Sequence, residues 1–177
     1  NEVANPSAVF LSERPENAPG SVVTASIEGT RPILVELQAL ASSTSFGNPR
    51  RTILGIAVME KKLGMHLMGH DIFINVAGGV KLVEPAVDLG IVAAIASSFL
   101  DKSIQNDTVV LGEVGLTGEV RAEVRAIGHI EARISEIKKM GFNRCLVPGS
   151  SLKRTKGIKG ITLEGVETVS EAVEILF

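Results

Sequence analysis

The chain has 177 residues, of which 45% are hydrophobic and 21% are charged, and its formal net charge is -2. This composition is ordinary for one globular domain and gives no overall attraction to nucleic acid, so any such role must depend on local basic patches. The single cysteine excludes an internal disulfide framework and a zinc site built from several cysteines, and no apolar run reaches the roughly 18 residues of a membrane span.

The first half of the chain predicts a hairpin, a helix and a further strand. Apolar and polar residues alternate over residues 23–28 and again over 33–40, with the turn residues Gly29 and Thr30 between them. A period of two predicts a β-hairpin with one buried face. A helix is predicted over residues 53–63 and a strand over residues 71–77.

The second half predicts a buried central helix. Pro85 is suited to the first turn of a helix that is predicted to run to about Leu100, and the apolar residues of this segment occur all the way round. Further strands are predicted over residues 108–114 and 144–147. A last amphipathic helix is predicted from the apolar spacing of Val169, Ala172, Val173 and Leu176.

Another amphipathic helix is predicted between the two later strands. Its inner stripe consists of Ile130, Ile134 and Ile137. The charged side chains between these apolar positions are therefore expected to point to solvent. They are Glu131, Arg133, Glu136 and Lys138.

Several short segments resemble, in order, the signatures of one protein family. They are Glu28-Gly29-Thr30-Arg31-Pro32, Thr44-Ser45-Phe46-Gly47-Asn48-Pro49-Arg50-Arg51, Ala77-Gly78-Gly79-Val80-Lys81, Glu84-Pro85-Ala86 and Gly112-Glu113-Val114-Gly115-Leu116-Thr117-Gly118-Glu119-Val120. Together they resemble the C-terminal domain of the bacterial RadA (Sms) family of DNA-repair proteins, and residues 77–91 and 111–120 also resemble the paired signatures of the Lon protease domain. Separate segments in the right order are a stronger signal than one glycine motif.

The resemblance implies a mixed α/β (α+β) fold like the Lon proteolytic domain, the ribosomal protein S5 domain 2-like fold. It also implies that residues 1–20 are a linker from a preceding ATPase domain and that residues 21–177 are the Lon-protease-like domain. Relatives carry a polar loop where this chain runs directly from Thr52 to Ile53, so either a disordered loop or a deletion is expected there. A short tandem repeat, Glu-Val-Arg-Ala at residues 119–122 and 123–126, is expected to lengthen a hairpin or loop.

The catalytic positions of the Lon family hold other residues in this chain. Lon-type proteases place a nucleophilic serine after the helix-opening proline and a lysine base in a later helix, where this chain has Ala86 and Glu131. A serine–lysine dyad needs a hydroxyl within reach of an amine whose pKa is lowered, and alanine has no nucleophilic atom. The resemblance therefore implies a non-catalytic domain without catalytic residues. The alternative is a Lon-family serine peptidase or a peptide-binding domain.

The family resemblance also implies a larger parent protein. Such proteins join a zinc finger and a RecA-like ATPase to this domain, form hexameric rings and drive branch migration during recombinational DNA repair. ATP, Mg and Zn are therefore expected for the missing domains and no cofactor or metal for this chain, since it has no phosphate-binding loop. The expected partners are further copies of the chain, single-stranded or branched DNA and the RecA-type recombinase pathway, and the expected location is the cytoplasm with no membrane contact.

Two groups of basic residues are candidates for DNA contact. Arg50 and Arg51 are adjacent, and two guanidiniums can clamp phosphates with paired hydrogen bonds. A second group, Lys153, Arg154, Lys156 and Lys159, lies in a stretch with no acidic residue between Arg144 and Leu163. The alternative for the second group is a solvated loop, and the alternative for Arg50 and Arg51, the stronger candidates, is a solvated pair at the edge of a loop. Without Trp or Tyr, contact is expected to involve the phosphate backbone rather than stacked bases.

Overall fold

The computed structural model describes residues 5–43, 55–115, 124–125 and 127–177. Its strands are β1 (Ser21–Glu28), β2 (Arg31–Ser43), β3 (His70–Val76), β4 (Thr108–Val110), β5 (Glu113–Val114), β6 (Val124–Arg125), β7 (Arg144–Pro148) and β8 (Thr162–Val166). Its α-helices are α1 (Pro6–Leu11), α2 (Gly55–Leu63), α3 (Asp88–Leu100), α4 (Ile130–Lys139) and α5 (Val169–Leu176). No helix in the described ranges is long and apolar enough to cross a membrane.

Within the described residues, six strands form one mixed sheet in the order β3-β2-β1-β4-β7-β8. Neighbouring strands are antiparallel from β3 to β1 and parallel from β1 to β8. Helices cover both faces: α2, α3 and α5 pack in one apolar cluster, while α4 packs in the other. The predicted α/β class is confirmed.

The hairpin of β1 and β2 is confirmed, but the expectation of one buried face is wrong for β1. Six successive residues of β1, from Ser21 to Ser26, are buried. The strand lies inside the sheet with helices on both sides, so its polar side chains also need partners within the protein. Thr24, for example, donates a hydrogen bond to the carbonyl of Val110 at 2.9 Å.

The predicted central helix is also confirmed. Pro85 begins a 3-10 turn, Pro85–Val87, and α3 follows it directly. Gly90 lets α3 approach the sheet closely, since a Cβ there would lie 3.1 Å from the Leu37 side chain and 3.2 Å from that of Thr24. The start of α3 is therefore held close to the hairpin.

The strand predicted over residues 108–114 is divided into two. β4 ends at Val110, and β5 pairs with β6 in a separate two-stranded sheet. The division occurs where the backbone of Gly112 bonds the beginning of α3, donating to the Ala86 carbonyl at 2.9 Å and accepting from the Leu89 amide at 3.0 Å. These bonds take the chain out of the main sheet, so the prediction of one continuous strand is wrong.

The segment predicted as a linker, residues 1–20, contains helix α1. Ser7 in this helix is fully buried; its hydroxyl donates to Glu136 at 2.8 Å and accepts from the Leu34 amide at 3.0 Å. The ring of Phe10 covers Gly78, whose φ is +75°. The described part of this segment is therefore packed against the domain. A connection to a preceding domain stays a prediction. The expectation of a disordered loop or a deletion between Thr52 and Ile53 concerns residues outside the described ranges.

Candidate functional site

The Glu84-Pro85-Ala86 segment occupies the place that the sequence predicts for it, at the entrance to α3. Ala86 lies in the 3-10 turn before the helix, and it is buried in the apolar cluster that also contains Val23, Ala25 and Ile130. The carbonyl of Ala86 accepts a hydrogen bond from the amide of Gly112 at 2.9 Å. The family resemblance assigns a nucleophile to this position. The position holds a buried methyl group, and the backbone carbonyl of Ala86 anchors the turn.

Glu84, two residues before Ala86, carries the main polar interactions of this segment. Its carboxylate accepts hydrogen bonds from the guanidinium of Arg133, the amide of Ile27 at 2.9 Å and the hydroxyl of Ser26 at 3.2 Å. Burial alone would raise the pKa of Glu84, but these hydrogen bonds and the charge of Arg133 outweigh it and hold the pKa below the ordinary value. Glu84 is therefore a carboxylate that joins β1 to α4.

Arg133 was expected to face solvent, and that prediction is wrong. Its side chain has 0% exposure. Besides Glu84, the guanidinium donates to the carbonyl of Ala25 at 2.6 Å and to that of Gly128 at 2.9 Å. Five donors in a rigid fork can satisfy three acceptors at once, which makes burial of this charge feasible.

Glu136 was also expected to face solvent and is instead buried. It accepts hydrogen bonds from Ser7 and from the side-chain amide of Asn5, both at 2.8 Å. The cause is α1, which covers this side of α4 and supplies polar partners. The inward face of α4 is consequently broader than its isoleucine stripe.

Glu131, the position assigned by resemblance to the lysine base, lies on the exposed side of α4. Its carboxylate pairs with the guanidinium of Arg154 at 3.3 Å, and the two side chains are 49% and 52% exposed. The structure thus brings Glu131 together with a member of the candidate DNA-binding group. Ala86 and Glu131 consequently sit in contrasting surroundings, one in the core and the other at the surface.

The basic group begins in a 3-10 helix, Gly149–Thr155, and continues to β8. Apolar and small residues fix this segment: Thr155 is buried, and Leu152 and Ile158 pack against the cluster under α4. The intervening basic side chains are directed outward as a result. Those that are exposed are Lys153, Arg154, Lys156 and Lys159.

Arg144 is occupied elsewhere, although it begins the stretch that lacks acidic residues. It makes two hydrogen bonds of 2.9 Å to the carboxylate of Glu164 on the neighbouring strand. These bonds raise the pKa of Arg144 and lower that of Glu164. The other candidates, Arg50 and Arg51, lie outside the described residues.

The histidines and the cysteine add no further site within the described residues. No group of three or more His, Cys, Asp or Glu side chains there could hold a metal ion. Cys145 is fully buried in β7, and burial raises the pKa of its thiol. A buried, protonated thiol is a poor nucleophile and serves here as a small core residue.

The fold and these side chains define an α/β domain with a buried ion pair behind the start of its central helix and a basic surface segment. Residues 47–151 match the family model described as subunit ChlI of Mg-chelatase. The match covers more than half of the chain, which therefore belongs to this family.

Curated relatives carry a more specific name. The chain is 51% identical to the DNA repair protein RadA of Bacillus subtilis, over 97% of this chain. It is 49% identical to that of Halalkalibacterium halodurans and 48% identical to that of Listeria monocytogenes, in each case over 98% of this chain. The chain spans 39% of the length of these relatives and matches their C-terminal part. The predicted resemblance to the RadA family is confirmed.

Proposed function

We propose that this chain is a non-catalytic, DNA-binding domain of a RadA-type DNA repair protein. The observation that carries the proposal is the exposed basic segment from Lys153 to Lys159, held outward by buried neighbours on a domain whose relatives are named as DNA repair proteins. Lysine and arginine without neighbouring aromatic side chains favour contact with phosphates and little sequence preference.

The non-catalytic part of the proposal is supported by the surroundings of Ala86. The methyl group has no nucleophilic atom, and the nearby serines in α3 have structural partners: Ser97 accepts from the Gly20 amide at 2.8 Å, and Ser98 accepts from the Ala41 amide at 2.9 Å. The domain acts as a Lon-like scaffold. Labelling of the chain by a serine-reactive probe, together with peptide hydrolysis lost on a point change, would instead establish the peptidase alternative.

The proposed parent protein is a DNA-dependent ATPase that promotes branch migration in recombinational repair. In this proposal the domain packs against further copies in a hexameric ring and presents its basic surface to single-stranded or branched DNA, in the cytoplasm and in the RecA-type recombinase pathway. ATP, Mg and Zn belong to the other domains. The basic segment and the names of the relatives support the DNA-repair part of this assignment.

The salt dependence of DNA binding tests the proposal. Affinity of the chain for a single-stranded oligonucleotide is measured by fluorescence anisotropy at several salt concentrations. Each phosphate contact contributes about 0.7 to the slope of log affinity against log salt, so replacing Lys153, Lys156 and Lys159 together by alanine should flatten it by about 2. The sequence-predicted pair is tested separately: Arg50 and Arg51 to alanine should flatten it by about 1.4.

A control variant, Lys61 and Lys102 to alanine, removes positive charge from α2 and from the residue after the C-cap of α3, which donates to the Phe177 carbonyl at the end of α5; α2, α3 and α5 pack in the apolar cluster that does not contain α4. The proposal expects little change in its slope. If the wild-type chain binds no DNA, or if all variants lose affinity equally, DNA binding at these residues is refuted. If only the Arg50 and Arg51 variant is silent, those arginines are structural and the DNA surface lies along Lys153 to Lys159.

A further inference from the structure

Lys138 on α4 lies beside the basic segment, although sequence reasoning did not connect the two. Gly160 ends the segment with a φ of +79°, and a Cβ at this position would be 3.5 Å from Cε and 3.7 Å from Nζ of Lys138. The side chain of Lys138 therefore lies along the turn that follows Lys159. The turn leaves its ammonium group at the same surface as the segment.

We propose that α4 forms the second half of the DNA-binding surface, with Lys138 as an additional phosphate contact. In this proposal Glu131 reduces the affinity of the surface for phosphate by pairing with Arg154. This inference rests on the proposed DNA-binding function. Glu131 pairs with Arg154 in the free protein, so it occupies a guanidinium that could otherwise bind phosphate. The free surface is thereby held below its full positive charge.

The geometry of α4 places these two residues on one face. Glu131 and Lys138 are seven positions apart, close to two helical turns, which corresponds to about 10 Å along the axis. One contacts Arg154 and the other lies at Gly160, so α4 and the basic segment run side by side between these points. A separation of about 10 Å spans roughly three nucleotide steps of 3.4 Å along one strand of a duplex.

The charges of this surface are nearly all of one sign. The segment from Lys153 to Leu163 contains no acidic residue. Glu136 on α4 is turned inward and bonded to Ser7, so it does not oppose a bound phosphate. Of the acidic residues of α4, Glu131 is thus the one that contacts the basic segment, through its pair with Arg154.

The exposed ion pair of Glu131 and Arg154 can be displaced by DNA. Pairs that are half exposed are weak, because water screens the charges and two long side chains must be held in place. A phosphate accepts two parallel hydrogen bonds from a guanidinium, and a neighbouring lysine strengthens the site. Exchange of the carboxylate of Glu131 for a phosphate is therefore favourable at moderate salt.

The first test replaces Lys138 by alanine and measures binding of the chain to a single-stranded oligonucleotide of fixed length. Loss of one contact should flatten the salt slope by about 0.7 and weaken affinity about fivefold at 0.1 M salt. Lys102→Ala provides the charge-matched control, because Lys102 follows α3 and donates to the Phe177 carbonyl at the end of α5, and it should leave both values unchanged. A Lys138→Ala variant that binds with the wild-type slope overturns the proposal.

The second test replaces Glu131 by glutamine. Release of Arg154 should raise DNA affinity about two- to fivefold and steepen the salt slope. The same change in an Arg154→Ala background should have no effect, since the freed group is absent. If Glu131→Gln raises affinity equally in both backgrounds, general charge is responsible and the assigned role of Glu131 is wrong.

These tests separate the inference from the function on which it rests. Loss of binding on replacing Lys153, Lys156 and Lys159, without any effect of Lys138 or Glu131, supports the DNA-binding function and refutes the role of α4. No DNA binding by the wild-type chain refutes both. Equal thermal midpoints of all variants, which alter exposed side chains, exclude unfolding as the cause of a lost contact.

Discussion

The buried pair of Glu84 and Arg133 should determine the stability of this domain much more strongly than the exposed pair of Glu131 and Arg154. Replacing Arg133 by alanine removes the donor for the Glu84 carboxylate and for two backbone carbonyls. The side chain of Arg133 and the residue Ala25 are both 0% exposed, so water reaches the Ala25 carbonyl only by entering the core, whereas Glu84 is partly exposed and Gly128 is exposed. The change therefore leaves the carbonyl of Ala25 buried without this donor and removes the counter-charge of Glu84.

The expected cost follows from these contacts. Removing one partner of a buried ion pair costs about 3–5 kcal/mol, because the other charge remains behind. Glu84 is 25% exposed and keeps its bonds from Ile27 and Ser26, which favours the lower part of this range. The orphaned carbonyl of the buried Ala25 adds a penalty of about 1–3 kcal/mol, which overlaps with the first, whereas water can reach the exposed Gly128. The free energy of unfolding of Arg133→Ala should thus fall by about 4 kcal/mol.

Arg154→Ala is the matched control, because it makes the same truncation at a pair that is about half exposed. It should cost about 1 kcal/mol or less. The chain has no Trp or Tyr, so unfolding in urea is followed by far-UV circular dichroism. A loss of about 4 kcal/mol also corresponds to a drop in melting temperature of roughly 8–16 °C for a domain of this size. Equal costs for the two variants would refute the assignment of Arg133 as a buried structural cation.

Three further predictions concern pH and packing. The pKa of Glu84 is lowered from its ordinary value of 4.5, so its carboxylate stabilises the fold above pH 4.5, and this stability is lost as the pH falls through the pKa of the folded state. Glu84→Gln should therefore reduce the dependence of the unfolding free energy on pH in the acid range, measured by urea unfolding. Gly78→Ala should lower the unfolding free energy by about 3 kcal/mol, because the position has a left-handed backbone and a Cβ there would clash with Phe10. At Gly79 the φ is +65° but the space is open, so Gly79→Ala should cost only about 1–2 kcal/mol in thermal melts. Ser7→Ala should cost about 1–3 kcal/mol in urea unfolding, since the carboxylate of Glu136 and the amide of Leu34 each lose one hydrogen-bond partner. A change below about 0.5 kcal/mol would show that α1 detaches readily from the domain.

Local patterns were sufficient to predict most elements of the fold. The hairpin, α3 and α5 could be predicted because their apolar spacing matches the periods of strand and helix over a whole element. The proline before α3 also marked its beginning correctly. β8 was missed, since Gly160 and Gly165 and the preceding lysines resemble a loop, and its strand conformation depends on pairing with β7.

The buried charges could not be predicted in the same way. Arg133 and Glu136 occupy helix positions whose pattern indicates solvent, and their partners are distant in sequence: Ala25 lies 108 residues from Arg133, and Ser7 lies 129 residues from Glu136. A period of 3.6 describes which side of a helix is apolar but carries no information on donors and acceptors supplied by other elements. The Glu-Pro-Ala motif identified the right neighbourhood, while the role of its glutamate required the structure.

The entrance to α3 serves the fold through interactions that need no side-chain hydroxyl at position 86. Glu84 bonds β1 and α4 through its carboxylate, Pro85 fixes the first turn, and Ala86 anchors that turn through its carbonyl. None of these interactions uses the side-chain atom that a serine at position 86 would add. The segment therefore holds together the two layers on which the basic surface depends, since α4 is fixed by Arg133 on its inner side and meets Arg154 on its outer side. In this arrangement the turn before α3 positions the helix proposed to bind DNA.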